Sequence, residues 1–181
     1  MAAPITRVTL VDVGSPIISD HSNDVGPYDM RINGRNVPVL CIDLADESKI
    51  GQQWSAAIDN LAGNLSATYH PNARIEYAEE AYLFTLIIKP GADRLDLQHA
   101  AWAITDLSYQ PNAAAEKFVL QAEQNASTVN LAGFEIISEM PGFKGPREQE
   151  FLAAAAPEPF LTNFVAGLIA VGLILLGRKR G

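Results

Sequence analysis

The last stretch of this chain constrains it most. Phe160 to Leu176 reads FLTNFVAGLIAVGLILL, 17 residues without a charge and with Thr162 and Asn163 as the only polar side chains. As a helix it spans about 26 Å, close to the ~30 Å of a bilayer's hydrocarbon core. A helix apolar on every face suits a membrane better than a terminal core position. Arg178, Lys179 and Arg180 follow it. Cations at the end of a span stay cytoplasmic, which predicts a transmembrane helix at 160–176 with residues 1–156 on the far side. The expected organisation is a globular domain over 1–140, a linker over 141–156 and a terminal membrane segment over 157–181. The linker expectation rests on Pro141-Gly142, Gly145-Pro146 and the alanine run that starts at Ala153.

The formal charge of the 181 residues is −8. Residues 157–181 set Glu158 against three cations, so the other 156 residues carry −10. With no basic patch to neutralise phosphates, nucleic-acid binding is excluded. The single cysteine, Cys41, excludes an internal disulfide framework and a multi-cysteine zinc site. No cofactor and no metal are expected; Asp20, His21 and Asp24 read as a solvated turn.

Arg7 to Val13 alternates and is β-branched, a strand pattern. Asn33-Gly34 between Tyr28–Ile32 and Val37–Leu44 predicts a β-hairpin with a type I′ turn. Pro38 belongs near the start or at an edge of its strand. Gly51 to Leu61 fits a strand or a short helix. From Ile75 the period becomes helical: Tyr77, Glu80, Ala81, Phe84, Ile87 and Ile88 share a face, and Pro90-Gly91 ends the segment. A second helix starts at Asp93, with Asp96 as a loose capping-box partner, and runs to Asp106. A third covers Ala113 to Gln124, and Phe134 to Met140 reads as a closing strand. The expected fold is α+β: an antiparallel sheet or barrel-like core with a small helical subdomain, plus the C-terminal membrane helix.

On the second helix Gln98 lies in an apolar stripe with Leu95, Ala101 and Trp102. A carboxamide there must find partners or lose a few kcal/mol to desolvation. Taken alone it is a buried glutamine bonded to a neighbouring strand. Cys41 shares a strand face with Val37 and Val39, while Leu40 and Ile42 face the other way. Taken alone it is a small core hydrophobe. Glu80, on an apolar helix face, is expected to hydrogen-bond a loop backbone or Tyr77. Cys41 with His70 or His99 and Asp106 has the composition of a cysteine hydrolase, but no local signature supports that reading.

Two resemblances join these segments. Leu40-Cys41-Ile42 and Leu97-Gln98-His99-Ala100-Ala101-Trp102 resemble the two signatures of bacterial thioester domains, found mainly on surface adhesins. The first is a cysteine between apolar residues in a strand. The second is a helical glutamine four residues before a tryptophan. The resemblance covers Tyr28 to Asp106. It implies an internal thioester between Cys41 and Gln98, shielded by Ala101 and Trp102. An amine-bearing protein or polymer at the cell surface would then be captured once per molecule, without enzymatic turnover. Pro157-Glu158-Pro159, the apolar helix and Arg178-Lys179-Arg180 together resemble the PEP-CTERM sorting signal of Gram-negative bacteria. That implies an inner-membrane anchor with a periplasmic domain, processing by an exosortase, and release to the cell surface or matrix. Residues 1–7 show no signal peptide, so export predicts a start further upstream. Two other readings stay open: a non-covalent surface or matrix protein with a free buried Cys41, and the cysteine hydrolase.

Overall fold

The computed structural model describes residues 5–14, 17–20, 23–140 and 147–155. The expected membrane helix at 160–176, the triplet Pro157-Glu158-Pro159 and the basic tail lie outside these residues. Among the described residues no helix is long and apolar enough to cross a membrane.

The alternating N-terminal segment forms β1 (Ile5–Val13). Two very short strands, β2 (Ser19–Asp20) and β3 (Asn23–Asp24), pair with each other. The hairpin is β4 (Tyr28–Ile32) and β5 (Arg35–Cys41). Asn33 and Gly34 have φ of 49° and 80°, both positive as a type I′ turn requires. β5 stops at Cys41 and not at Leu44. Pro38 sits inside the strand; β8 pairs with β5 only from Val39 onward, so the missing N–H is tolerated before that ladder begins. The ambiguous segment around Trp54 is a strand, β6 (Gln53–Asn60).

Three helices follow: α1 (Arg74–Ile87), α2 (Arg94–Thr105) and α3 (Ala113–Asn125). The Asp93 side chain caps α2 by accepting from the Asp96 N–H, and Asn112 caps α3 by accepting from Ala114 and Ala115. The chain then returns as β7 (Phe134–Glu139) and β8 (Phe151–Ala154). β8 corrects the linker expectation. The alanine-rich stretch alternates Phe151 and Ala153 inward with Leu152 outward, and its small side chains fit a crowded barrel wall. The residues before it are anchored too. Glu150 accepts from the Tyr69 N–H, the Tyr77 hydroxyl and the Ser138 hydroxyl, and Glu148 accepts from Ser48 and Gln52.

The six long strands close into an antiparallel barrel in the order β1-β4-β5-β8-β7-β6. Closure leaves no free edge. Two apolar clusters share the barrel wall. One fills the interior and includes Leu10, Tyr28, Met30, Cys41, Trp54 and Phe151. The other lies outside β5, β8 and β7, where Leu40, Ile42, Leu152 and Ile136 pack against α1 and α2. The period of two along β5 therefore points Cys41 into the barrel and its neighbours at the helices.

Candidate functional site

Cys41 is the last residue of β5, fully buried at the rim of the barrel. Gln98, also fully buried, projects from α2 over the same rim. Its Nε2 donates to the Cys41 carbonyl oxygen at 2.6 Å. The thiol belongs to that same residue, so bond lengths alone keep Sγ within about 7 Å of Nε2. Residues 57 positions apart in sequence are thus brought together. The other end of the carboxamide is held as well: the Gly26 N–H donates to Gln98 Oε1 at 3.3 Å. With both ends fixed, the amide plane cannot rotate freely.

α2 is fastened on either side of Gln98. The Thr105 hydroxyl donates to the Ile42 carbonyl at 2.6 Å. One turn before Gln98, Arg94 donates from Nε to the Gly26 carbonyl at 2.7 Å, and from Nη2 to the Val25 carbonyl at 3.0 Å and the Gly14 carbonyl at 3.2 Å. These contacts are the reason the second helix and the end of β5 meet at one point.

The Cys41 thiol donates to the Asp43 carbonyl at 3.1 Å. Burial pushes its pKa up to about 12, against smaller lowering effects of the Asp43 backbone and of Trp102. That is the opposite of the depressed thiol a cysteine hydrolase uses. The proposed partners sit in different surroundings. His70 lies beside Glu150. Asp106 is half-buried, its pKa lowered by donors from Ser108. His99 is buried and stacks on Trp102 at 5.6 Å between ring centroids, with Tyr109 closing the aromatic group at 6.0 Å from Trp102.

Trp102 is 2 % exposed and Ala101 is fully buried. Their places differ. Ala101 packs in the cluster between helices and barrel. Trp102 lines a cleft of about 530 Å³ together with Leu10, Tyr28, Asp24, Asp46 and Glu47. Tyr28 and Trp102, which both line the cleft, each also influence or feel the Cys41 thiol. Asp43, next to the thiol, has its pKa raised to about 6 by burial and by Asp46.

Glu80 departs from expectation. It is fully buried on the face of α1 shared with Tyr77 and Phe84, and neither carboxylate oxygen has a partner. The Tyr77 hydroxyl donates to Glu150 at 2.5 Å instead. Burial holds the Glu80 pKa well above its ordinary value. Gly26, like Arg94, is a residue that sequence reasoning missed. It lies in an irregular loop, and no periodic pattern links it to α2.

No family model matches the chain, and no curated protein matches it. Among solved structures it is similar to the N-terminal thioester domain of a surface protein from Clostridium perfringens. That match has 10% identity and a TM-score of 0.45, covering 84% of this chain and 99% of that one. It is also similar to the N-terminal thioester domain of a protein F2 like fibronectin-binding protein from Streptococcus pneumoniae. Here identity is 11% and the TM-score 0.44, covering 82% of this chain and 91% of that one.

Proposed function

We propose that this chain is a surface or extracellular protein whose Cys41 and Gln98 form an internal thioester that captures an amine-bearing partner. The observation that carries the reading is the carboxamide of Gln98, buried and hydrogen-bonded at both ends, against the residue that bears the only thiol. A stable core has no need of this pairing; alanine and leucine would pack there without desolvating an amide. The reaction has simple bookkeeping. Sγ bonds to the Gln98 side-chain carbonyl carbon, the C–Nε2 bond breaks, and nitrogen leaves as ammonia with the thiol proton. Attack on an amide is slow in water, and near-attack positioning supplies most of what it lacks. Trp102 and Tyr28 keep water from the product, and the cleft outside them admits an amine. Transfer of the acyl group to that amine leaves Cys41 as a free thiol, so each molecule reacts once.

The same reading assigns residues 1–140 and strand β8 to the thioester domain. It makes 157–181 a PEP-CTERM-type sorting segment, with Pro157, Glu158 and Pro159 as the motif and Arg178, Lys179 and Arg180 as its cytoplasmic end. An exosortase-type enzyme is then the processing partner, and the inner membrane a transient anchor before the cell surface.

Intact mass tests the chemistry. Loss of ammonia lowers the mass by about 17 Da, and Cys41 resists alkylation until an amine opens the bond. Methylamine adds to Gln98 and frees one thiol. Cys41→Ala and Gln98→Ala each show the plain mass of the variant sequence. A full sequence mass with a freely titrating thiol would remove the covalent function and leave a non-covalent surface protein with a buried cysteine.

A further inference from the structure

We propose that the Gly26 backbone N–H is the oxyanion donor for thioester formation at Gln98, and that Arg94 is the positioning residue that holds it there. This rests on the thioester reading of Cys41 and Gln98. When Sγ attacks the carbonyl carbon, the C=O electron pair moves onto Oε1. The group aimed at Oε1 is the Gly26 N–H, in a buried hydrogen bond of 3.3 Å. That distance is long for the neutral amide and leaves room to shorten toward the ~2.7–3.1 Å at which such donors act on a developing oxyanion. The interaction therefore strengthens on the way to the transition state, the condition for raising a rate. Collapse of the intermediate re-forms C=O and expels Nε2, which the Cys41 carbonyl already holds at 2.6 Å. The carboxamide is thus oriented with its oxygen on the donor and its leaving nitrogen on the acceptor.

The loop that presents Gly26 has little regular structure of its own. Arg94 supplies the rigidity. Its guanidinium binds three backbone carbonyls there, those of the adjacent Val25 and Gly26 and of Gly14 just after β1. A planar fork fixes such a set of acceptors better than an ammonium can. Arg94 and Gln98 are four residues apart on α2 and so lie one above the other on the same face. The helix that carries the electrophile therefore also carries the clamp that places its donor. Gly26 has no positive φ, so backbone conformation does not demand a glycine here. Space does: a Cβ would lie 2.8 Å from Gln98 Oε1 and 3.2 Å from the Tyr28 ring.

The experiment uses the full-length chain made in a cell-free reaction with detergent and sampled over time by intact mass. Wild type loses about 17 Da. Gly26→Ala keeps an N–H but pushes Oε1 away, and slows that loss about 100-fold, the size of a missing oxyanion donor. Arg94→Met slows it about tenfold, and Arg94→Lys falls between Arg94→Met and wild type. Thermal unfolding of all three stays close to wild type. The thioester carbonyl stretch, read with ¹³C-labelled glutamine, is lower in wild type than in a thioester lacking a donor, and rises in Arg94→Met. A purely structural role for Arg94 leaves that frequency unmoved. Folded variants that form the bond within about threefold of the wild-type rate overturn the assignment while leaving the thioester standing. Should the variants not fold, a wild-type stretch equal to that of a donor-free thioester overturns it on its own. A wild type that never loses 17 Da removes the thioester and this assignment together.

Discussion

At the scale of single residues, the Cys41 thiol sets a condition on pH. The fold favours the neutral thiol, whose pKa rises from 9.0 to about 12 on burial. The unfolded chain ionises first, so stability is complete below pH 9 and is lost as pH rises toward 12, by up to about 1.4 kcal/mol per unit. Tyr28, Tyr69 and Tyr77 are raised in the same direction from 10.0, so the thiol is best read between pH 9 and 10. Urea unfolding of the amine-opened protein is expected to show this loss, and Cys41→Ala to show a flatter slope over that interval. Equal slopes would contradict the burial of an ionisable thiol. Trp102 makes a different kind of prediction. On the proposed thioester reading, its truncation to alanine opens the cleft toward the bond, so the thioester of Trp102→Ala is expected to hydrolyse faster than wild type. The check is a gain of about 18 Da with time, together with one titratable thiol. An unchanged lifetime would move the shielding role to Tyr28.

At the scale of the element, α1 carries a burden it does not need for packing. Glu80 lies among apolar side chains with both oxygens unpartnered. Replacement by methionine, of similar length, removes that cost and is expected to stabilise the fold by about 1–3 kcal/mol. Each kcal/mol is roughly 2–4 °C in a domain of this size. Because the Glu80 pKa is raised, the carboxyl is tolerated below about pH 4.5 and becomes costlier as pH rises. The gain from Glu80→Met is therefore larger at pH 8 than at pH 4, which calorimetry at both values measures; a loss at both would contradict it. Elements differ in how far they were legible. Asn33-Gly34 announced its hairpin because only a positive-φ pair makes that turn, and Asp93 announced α2 by its cap. The two halves of the site were legible as a strand cysteine and a stripe glutamine. Their meeting point was named by the resemblance and not by the residues alone, since a buried carboxamide must have a partner but does not name it. Gly26 and Arg94 were not legible at all. Their contact joins a loop to a helix across 68 positions, and no local period encodes such a distance. β8 was misread because alanine carries little signal in either direction and proline and glycine precede it.

At the scale of the whole molecule, the barrel cannot close without residues 147–154. β8 joins β5 to β7, and Glu148 and Glu150 fasten the approach to it. Deleting residues 157–181 is expected to leave the unfolding transition within a few degrees of full length. Deleting from residue 147 removes a wall strand and abolishes cooperative unfolding. A 1–146 fragment that melts like the full domain would show that the barrel tolerates a gap. The place of β8 has a mechanical consequence. On the proposed thioester reading a captured partner would hang on Gln98, and since the chain leaves the barrel after Ala154, tension between the two would pass through this last strand. β8 has an antiparallel neighbour on each flank, and a pull on its C-terminal end draws it lengthwise. The two ladders then share the load in shear instead of unzipping rung by rung. Its rung opposite Phe151 is Cys41, so the strand that takes the strain is braced by the strand that carries the thiol.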